Sequence, residues 1–533
     1  MQRGVALLGR KRRRGGTIGV LILRRRVFYS CNLSLALNYY CNSLRDGVSG
    51  KESGIGMHLI VHFQSIALWA VIDFCISLFA AAHVILHKRD ARATVGWVGV
   101  IWLAPFLGTT LYLLLGINRI ERHARRKRPT TILNIDPRIE TIARDESLSN
   151  PSLRDLMRLA NTITGLPLTG GNCVEKLLNG DEAYPAMIDT IDSAQHSVTM
   201  ATYIFDRDHV GLRFVDALGR AAARGVEVRV LIDNVGAGYR FPTIAGPLRR
   251  ANVRTAYFLP TLLPWRLHYS NLRNHRKTLI VDGKIAFTGG MNIRQGHELA
   301  TARHSLTRDT HFRIVGPVVS QLQEMFAIDW RFTTQETLRG DPWFTQADQA
   351  GSVAARCIAD GPDEDLDRTR KLLIGAISVA RSSVAIVTPY FLPDDTLITA
   401  LNIAAMRGVT VDIFIPEFGN LRFVEWAAAA QHWQVLQHGC RLWLTPPPFD
   451  HTKLTLVDNE WALIGSTNWD PRSMRLNFEL NVELYSTLFG AELAQLIEQR
   501  RQCGYRLTLQ QVKARPLWKR LRNGVVRLLS PYL

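Results

Sequence analysis

The stretch "NHRKTLIVDGKIAFTGGMN" runs from Asn274 to Asn292, and "DHTKLTLVDNEWALIGSTN" runs from Asp450 to Asn468. Each holds His-x-Lys, an Asp farther on, a small pair and an Asn. After the opening polar residues both strings are apolar and rich in β-branched side chains, which suits buried strands. Alternate residues of a strand share a face, so His275 lies with Lys277 and His451 with Lys453. Asp282-Gly283 and Asp458-Asn459 suit hairpin turns, which makes "IAFTGG" and "WALIGS" the returning strands. The return carries Asn292 and Asn468 back toward the His end. Gly289-Gly290 and Gly465-Ser466 leave the backbone open to close approach. The pattern predicts an imidazole, an ammonium and an amide at one strand end, twice over, with Asp282 and Asp458 at the far turns.

Lys and Asn are good ligands for phosphate oxygens, one by charge and one by directed donors. Imidazole attacks phosphorus or carries a proton near neutral pH. One set is half a site. Two sets brought together supply a nucleophile on one face of a phosphorus and a proton carrier on the other, with Lys277, Asn292, Lys453 and Asn468 holding the phosphate. The lysines offset charge that a metal would otherwise neutralise, so neither a metal nor a cofactor is expected.

The surroundings of the two motifs repeat as well. Ile188–Asp233 and Leu373–Pro416 each read as a helix, an apolar strand (Val198–Phe205; Val384–Phe391), a helix ending in Arg-Gly-Val and a second strand. Glycine there is the ordinary helix stop. This order predicts an α/β fold with a mostly buried sheet, built from two similar halves in a pseudo-twofold bilobal domain. The expected boundaries are residues 166–350 and 351–510, with the acidic "ADGPDEDLD" (Ala359–Asp367) as a solvated connection.

The chain has 533 residues, more than one ordinary core needs. Its formal charge is +19, which points to a polyanionic partner such as nucleic acid or an anionic membrane face. The apolar share of 47% excludes a disordered chain. Seven scattered cysteines without a CxxC pair indicate reduced thiols, not a disulfide frame or zinc site. Ile66–Leu86 and Val95–Leu115 are each long enough for the about 20 apolar residues that cross a bilayer. Residues 57–118 are therefore expected to form a transmembrane helical hairpin. Arg119, Arg122, Arg125, Arg126, Lys127 and Arg128 follow it and outweigh Lys88, Arg89 and Arg92 in the loop, which favours a cytoplasmic C-terminal part. Asp73 is costly at bilayer depth and is a functional candidate. His83 and His87 read as an interfacial pair. Residues 119–165 form a basic linker. Residues 1–56, with "RKRRR" and "RRR", read as a basic extension ahead of a natural start at Met57. In the tail, residues 511–533, Leu517, Leu521, Val525 and Leu528 make one helical stripe among Lys519, Arg520, Arg522 and Arg527. That suits a helix lying on anionic lipid or an ordinary packed terminal helix.

These residues resemble the phospholipase D superfamily, marked by two HxKxxxxD motifs. From about Met57 onward the chain is more narrowly similar to the bacterial cardiolipin synthase family. "GWVGVIWLAPFLGTTLYLLLGINR", "FTGGMN", "GSTNWDPRSMRLNFELNVE" and the terminal "RLLSPYL" carry that likeness. The resemblance implies a multi-pass enzyme of the bacterial inner membrane acting on phosphatidylglycerol and other anionic phospholipids, with no nucleic-acid partner. It implies ping-pong transfer. His275 attacks one phosphatidylglycerol, His451 protonates the departing glycerol, and a second phosphatidylglycerol then takes the phosphatidyl group to give cardiolipin. It also implies that Asp309 and Glu479 support the catalytic imidazoles, and that Asp282 and Asp458 belong to the catalytic set. One departure is "RQGHE" after "GGMNI", where a more acidic stretch is expected; it bears on Arg294. A hydrolytic phospholipase D and a membrane-anchored nuclease share the motif, and a non-catalytic anionic-lipid scaffold is the rival outside enzymes.

Overall fold

The computed structural model describes residues 52–88, 91–116, 151–260, 272–302, 304–345, 347–362 and 366–530. The expected basic extension up to residue 51 and most of the basic linker lie outside them. The chain divides into two compact units, residues 1–117 and 118–533.

In the first unit a helix spans Glu52–His87, and its segment Gln64–His87 is long and apolar enough to cross a membrane. The second apolar run is not one continuous span. It forms a helix over Ala91–Leu103, breaks at Ala104, resumes as Pro105–Leu111 and widens into a π-turn over Tyr112–Gly116. Pro105 has no N–H to donate and disfavours helical backbone at the residue before it. Ala104 is accordingly held at φ −137°, ψ 73°. Val84 and Ala80 pack against Ile101 and Tyr112. The rings of His83 and His87 stack at 4.1 Å, and His83 Nδ1 meets the Tyr112 hydroxyl at 2.7 Å. Asp73 Oδ1 is buried and has no hydrogen-bond partner.

The second unit is a mixed α/β fold around one continuous sheet. From edge to edge its strands are Tyr505–Leu507, Arg441–Thr445, Thr410–Pro416, Ser383–Val387, Leu454–Val457, Trp461–Gly465, Asn477–Tyr485, Val353–Asp360, Thr169–Leu178, Thr310–Val315, Ile285–Gly289, Thr278–Val281, Ser197–Thr202, Glu227–Asp233 and Arg254–Phe258. Val353–Asp360 pairs antiparallel with both Asn477–Tyr485 and Thr169–Leu178 and so joins the two sides. The acidic stretch predicted as a connection therefore begins inside this strand. Asp360 accepts from the backbone N–H groups of Gly361 and Thr369.

Local chemistry sets the flanking helices. Asp208 caps His209–Ala223 and Asp394 caps Asp395–Met406, each carboxylate accepting from the first turn. Gly225 (φ 88°) and Gly408 (φ 91°) end the two helical runs in left-handed backbone. The preceding strands stop at Thr202 and Val387, short of the predicted Phe205 and Phe391. One apolar cluster draws on both sides of the sheet, with Ile280, Phe312 and Trp330 beside Leu454, Phe478 and Leu493. Two further clusters seat the outer helices, one around Phe214 and Val230, the other around Leu401 and Ile413.

Candidate active site

Each His-x-Lys segment is placed by the far side of the sheet. Arg273–Asn274 pairs parallel with Asn477–Phe478, and the His275 N–H donates to the Phe478 carbonyl at 2.9 Å. Phe449–Asp450 pairs parallel with Thr307–Arg308, and the His451 N–H donates to the Arg308 carbonyl at 2.7 Å. The support is therefore crossed. His275 Nδ1 lies 3.0 Å from both Glu479 oxygens, and His451 Nδ1 lies 3.0 Å from Asp309 Oδ2. Each carboxylate belongs to the motif that does not contain its imidazole. Contact at Nδ1 leaves Nε2 of each ring for a substrate.

Ser466 Oγ and Asn477 Nδ2 both donate to Glu479. Asp309 sits against Gly290, where a Cβ would come 2.7 Å from a carboxylate oxygen. Lys277 Nζ donates to the His275 carbonyl at 2.6 Å, and Lys453 Nζ to the His451 carbonyl at 2.5 Å. All four side chains are buried.

Burial pushes His275 well below the ordinary imidazole pKa, and Lys277, Lys453 and Arg472 push the same way. Burial also lowers His451, with Lys453, Lys277 and His275 adding to it and Asp450 opposing. Each imidazole thus feels the other motif's ammonium, as one shared site requires. Burial raises Glu479 to about 7 against the opposing Lys277, and lowers Lys453 to about 8 against Asp309 and Glu479.

The remaining expected residues fall into two groups. Asn292 and Asn468 are buried; Asn292 Oδ1 accepts from the Ile204 N–H, while Asn468 Oδ1 has no hydrogen-bond partner. Asp282 and Asp458 are not brought to the imidazoles. Both occupy the hairpin turns in left-handed backbone, at φ 51° and 52°. Asp282 accepts from the N–H groups of Gln195, His196 and Ser197. Asp458 accepts from those of Arg381, Ser382 and Ser383. Their geometry is that of anchors tying each hairpin to the start of the neighbouring strand, at the far end from the imidazoles. Arg294 pairs with Asp206 at 3.2 Å. In the departing "RQGHE" segment His297 is buried with its ring 6.3 Å from that of His451.

Sequence reasoning missed two tyrosines. The Tyr203 ring stands edge-on to His275 at 5.2 Å, and Tyr390 to His451 at 6.5 Å. They occupy matching places, "ATYIF" and "TPYFL", in the two repeats. It also missed the ion pairs behind the motifs, Arg276–Asp329 at 2.7 Å and Arg500–Asp450 at 2.8 Å. Those partners are distant in sequence and carry no local pattern.

The model of the cardiolipin synthase phospholipase D-like domain matches residues 187–330 and 373–501, the segments that carry the two motifs. The chain belongs to that family. A phospholipase D-nuclease N-terminal model matches residues 75–116. The chain is 32% identical over 475 residues to a cardiolipin synthase of Geobacillus thermodenitrificans, covering 88% of this chain and 94% of that protein. It is 31% identical to the major cardiolipin synthase of Bacillus subtilis, covering 86% and 98%. Among solved structures, the phosphatidylserine synthase of Haemophilus influenzae superposes with a TM-score of 0.58 at 16% identity, covering 71% of this chain and all of that one. That likeness concerns the fold.

Proposed function

We propose that this enzyme transfers a phosphatidyl group from one phosphatidylglycerol to another, giving cardiolipin and glycerol. His275 Nε2 attacks phosphorus, the bond from phosphorus to the glycerol oxygen breaks, and His451 gives that oxygen its proton. The resulting phosphatidyl-histidine is attacked by the terminal hydroxyl of a second phosphatidylglycerol. Its proton passes to His451 and the phosphorus–nitrogen bond breaks. Lys277 and Lys453, with Asn292 and Asn468, hold the non-bridging oxygens. Glu479 and Asp309 act through the rings, fixing each with Nδ1–H on the carboxylate and Nε2 toward phosphorus.

The crossed imidazole–carboxylate pairs carry this reading, because they couple two sequence-distant imidazoles into one buried site. Burial and the two lysines hold both imidazoles well below the ordinary pKa. The assignment of attack to His275 and of proton transfer to His451 follows the family resemblance. The two halves are read as pseudo-twofold related. The apolar runs of the first unit are read as a two-pass anchor in the bacterial inner membrane, with the catalytic unit on the cytoplasmic face.

The test uses the full chain in nanodiscs containing labelled phosphatidylglycerol. Cardiolipin and glycerol in equal amounts support the reading. Phosphatidic acid without cardiolipin replaces it with a hydrolase, and cleavage of DNA without lipid turnover replaces it with a nuclease.

A further inference from the structure

The C-terminal helix Leu517–Arg527 is seated in the opposite sense to an ordinary terminal helix. Its buried residues are Asn523 and Val526. Val526 packs on Leu392, Ala427 and Ala428, and the Arg522 guanidinium lies 4.0 Å from the Trp426 ring centre. The apolar stripe Leu517, Leu521, Val525 and Leu528 faces outward, Leu528 being 77% exposed. A stripe left in water on a docked helix asks for an apolar partner.

The helix Arg422–Ala429 connects this stripe to the site. It follows a loop whose Phe418 and Leu421 are exposed, and Asn420 in that loop accepts from the Tyr390 hydroxyl at 2.7 Å. Tyr390 borders His451. On the other side, the Tyr203 hydroxyl, bordering His275, meets the Tyr239 hydroxyl at 3.2 Å. Tyr239 and Phe241 stand exposed in their loop, Phe241 at 91%. The loop of Tyr239 thus borders the tyrosine beside His275, and the loop of Asn420 borders the tyrosine beside His451. Burial raises the pKa of Tyr390, and Tyr239 adds to it. Arg240, Arg422, Lys519 and Arg520 are exposed among these apolar residues.

We infer that the loops around Phe241 and Phe418 and the outward stripe of the C-terminal helix form one rim that lies in the surface of an anionic bilayer, with the active-site mouth opening into the lipid. Aromatic and aliphatic side chains interleaved with cations on an outward face match an interfacial surface. The rim belongs to the catalytic unit itself, and the lipid would pass between the paired tyrosines without leaving the bilayer. The inference rests on the lipid-transfer reading only for the activity measurement below.

The full chain is reconstituted in vesicles of phosphatidylcholine and phosphatidylglycerol, with a photocrosslinking residue at 241, 418, 517 or 521. Positions 406 and 488 serve as controls. Met406 and Leu488 are exposed but lie toward the Asp458 turn, away from the mouth: Thr410 pairs with Ser383, and Gly490 abuts Asn459. Lipid adducts at the rim at least about 5-fold above the controls are expected. Equal adducts, or adducts to protein at the rim, overturn the inference. In parallel, Phe241→Ser, Phe418→Ser and Leu521→Ser should slow turnover of long-chain phosphatidylglycerol in vesicles about 10-fold, with turnover of a monomeric short-chain analogue within about 2-fold of wild type. Equal loss on both substrates, or none on either, overturns it. A wild type that turns over neither substrate sinks the transfer reading, and the adducts then decide the surface alone.

Discussion

Arg273–Lys277 and Phe449–Lys453 present the same imidazole and ammonium, yet they are locked in place differently. Behind the first motif the cation comes from the motif itself, Arg276, and the anion from a helix, Asp329. Behind the second the polarity is reversed, with Asp450 in the motif and Arg500 on a helix. The small pair is Gly-Gly in one and Gly-Ser in the other, so only Glu479 receives a side-chain hydroxyl from that position. The difference teaches that the two motifs repeat the imidazole and the ammonium, while their surroundings make the two rings unlike. Both rings contact a carboxylate and lie among the two lysines; Arg472 adds a cation near His275, and Asp450 adds an anion near His451.

The largest expected effect separates the two rings. His275→Ala and His451→Ala should each lower cardiolipin formation by about 10³-fold or more. With a donor carrying a nitrophenolate leaving group, which needs no proton, His451→Ala should still release one equivalent and His275→Ala none. Release by His275→Ala alone would reverse the comparison. Next come the carboxylates. Glu479→Gln and Asp309→Asn should each cost about 10²-fold in kcat, with a displaced pH profile, because the ring loses a charged, acceptor-only partner and an amide no longer fixes its tautomer. Unchanged kcat in both would remove the crossed support from the mechanism.

A pH effect follows. Burial holds Lys453 at about 8, and the proposed mechanism uses its charge to hold the phosphate. Rising pH removes that charge, so kcat/KM should decline as pH passes through about 8. Lys453→Arg should carry this decline to higher pH, since guanidinium stays charged. A decline at the same pH in the variant would assign it to another group. The smallest effect on chemistry belongs to the turn residues. Asp282→Asn and Asp458→Asn should leave kcat of the folded enzyme within about 3-fold but cost about 1–3 kcal/mol of stability through lost charge-assisted hydrogen bonds, read as a lower Tm. Burial raises the Asp458 pKa, but its backbone donors outweigh that and hold it below the ordinary value. Its stabilising contribution is therefore present near neutrality and fades as pH falls through that lowered value.

The sequence made the strand, the hairpin turn and the returning small pair legible, because each is set by residues within about twenty positions of one another. Asn292 and Asn468 return as expected. Crossing was not legible: nothing local says that Glu479 reaches His275, since that depends on parallel pairing of Arg273–Asn274 with Asn477–Phe478. The Asp of each motif was readable as a turn residue from its Asp-Gly or Asp-Asn context, and its carboxylate is indeed occupied by backbone N–H groups there. The break in the second apolar run had a visible signal in Pro105, which run length alone overrides. The outward stripe of the C-terminal helix had none, because periodicity fixes a face and only packing decides which way it points.

The crossed support is tested most directly by the ring nitrogens. With ¹⁵N-histidine in the full chain, and His275→Ala and His451→Ala used for assignment, Glu479→Gln should move the Nδ1 resonance and titration of His275 far more than those of His451. Asp309→Asn should do the reverse. If Glu479→Gln chiefly moves His451, and Asp309→Asn chiefly moves His275, each motif keeps its own carboxylate and the account of a single site built across the two halves is contradicted.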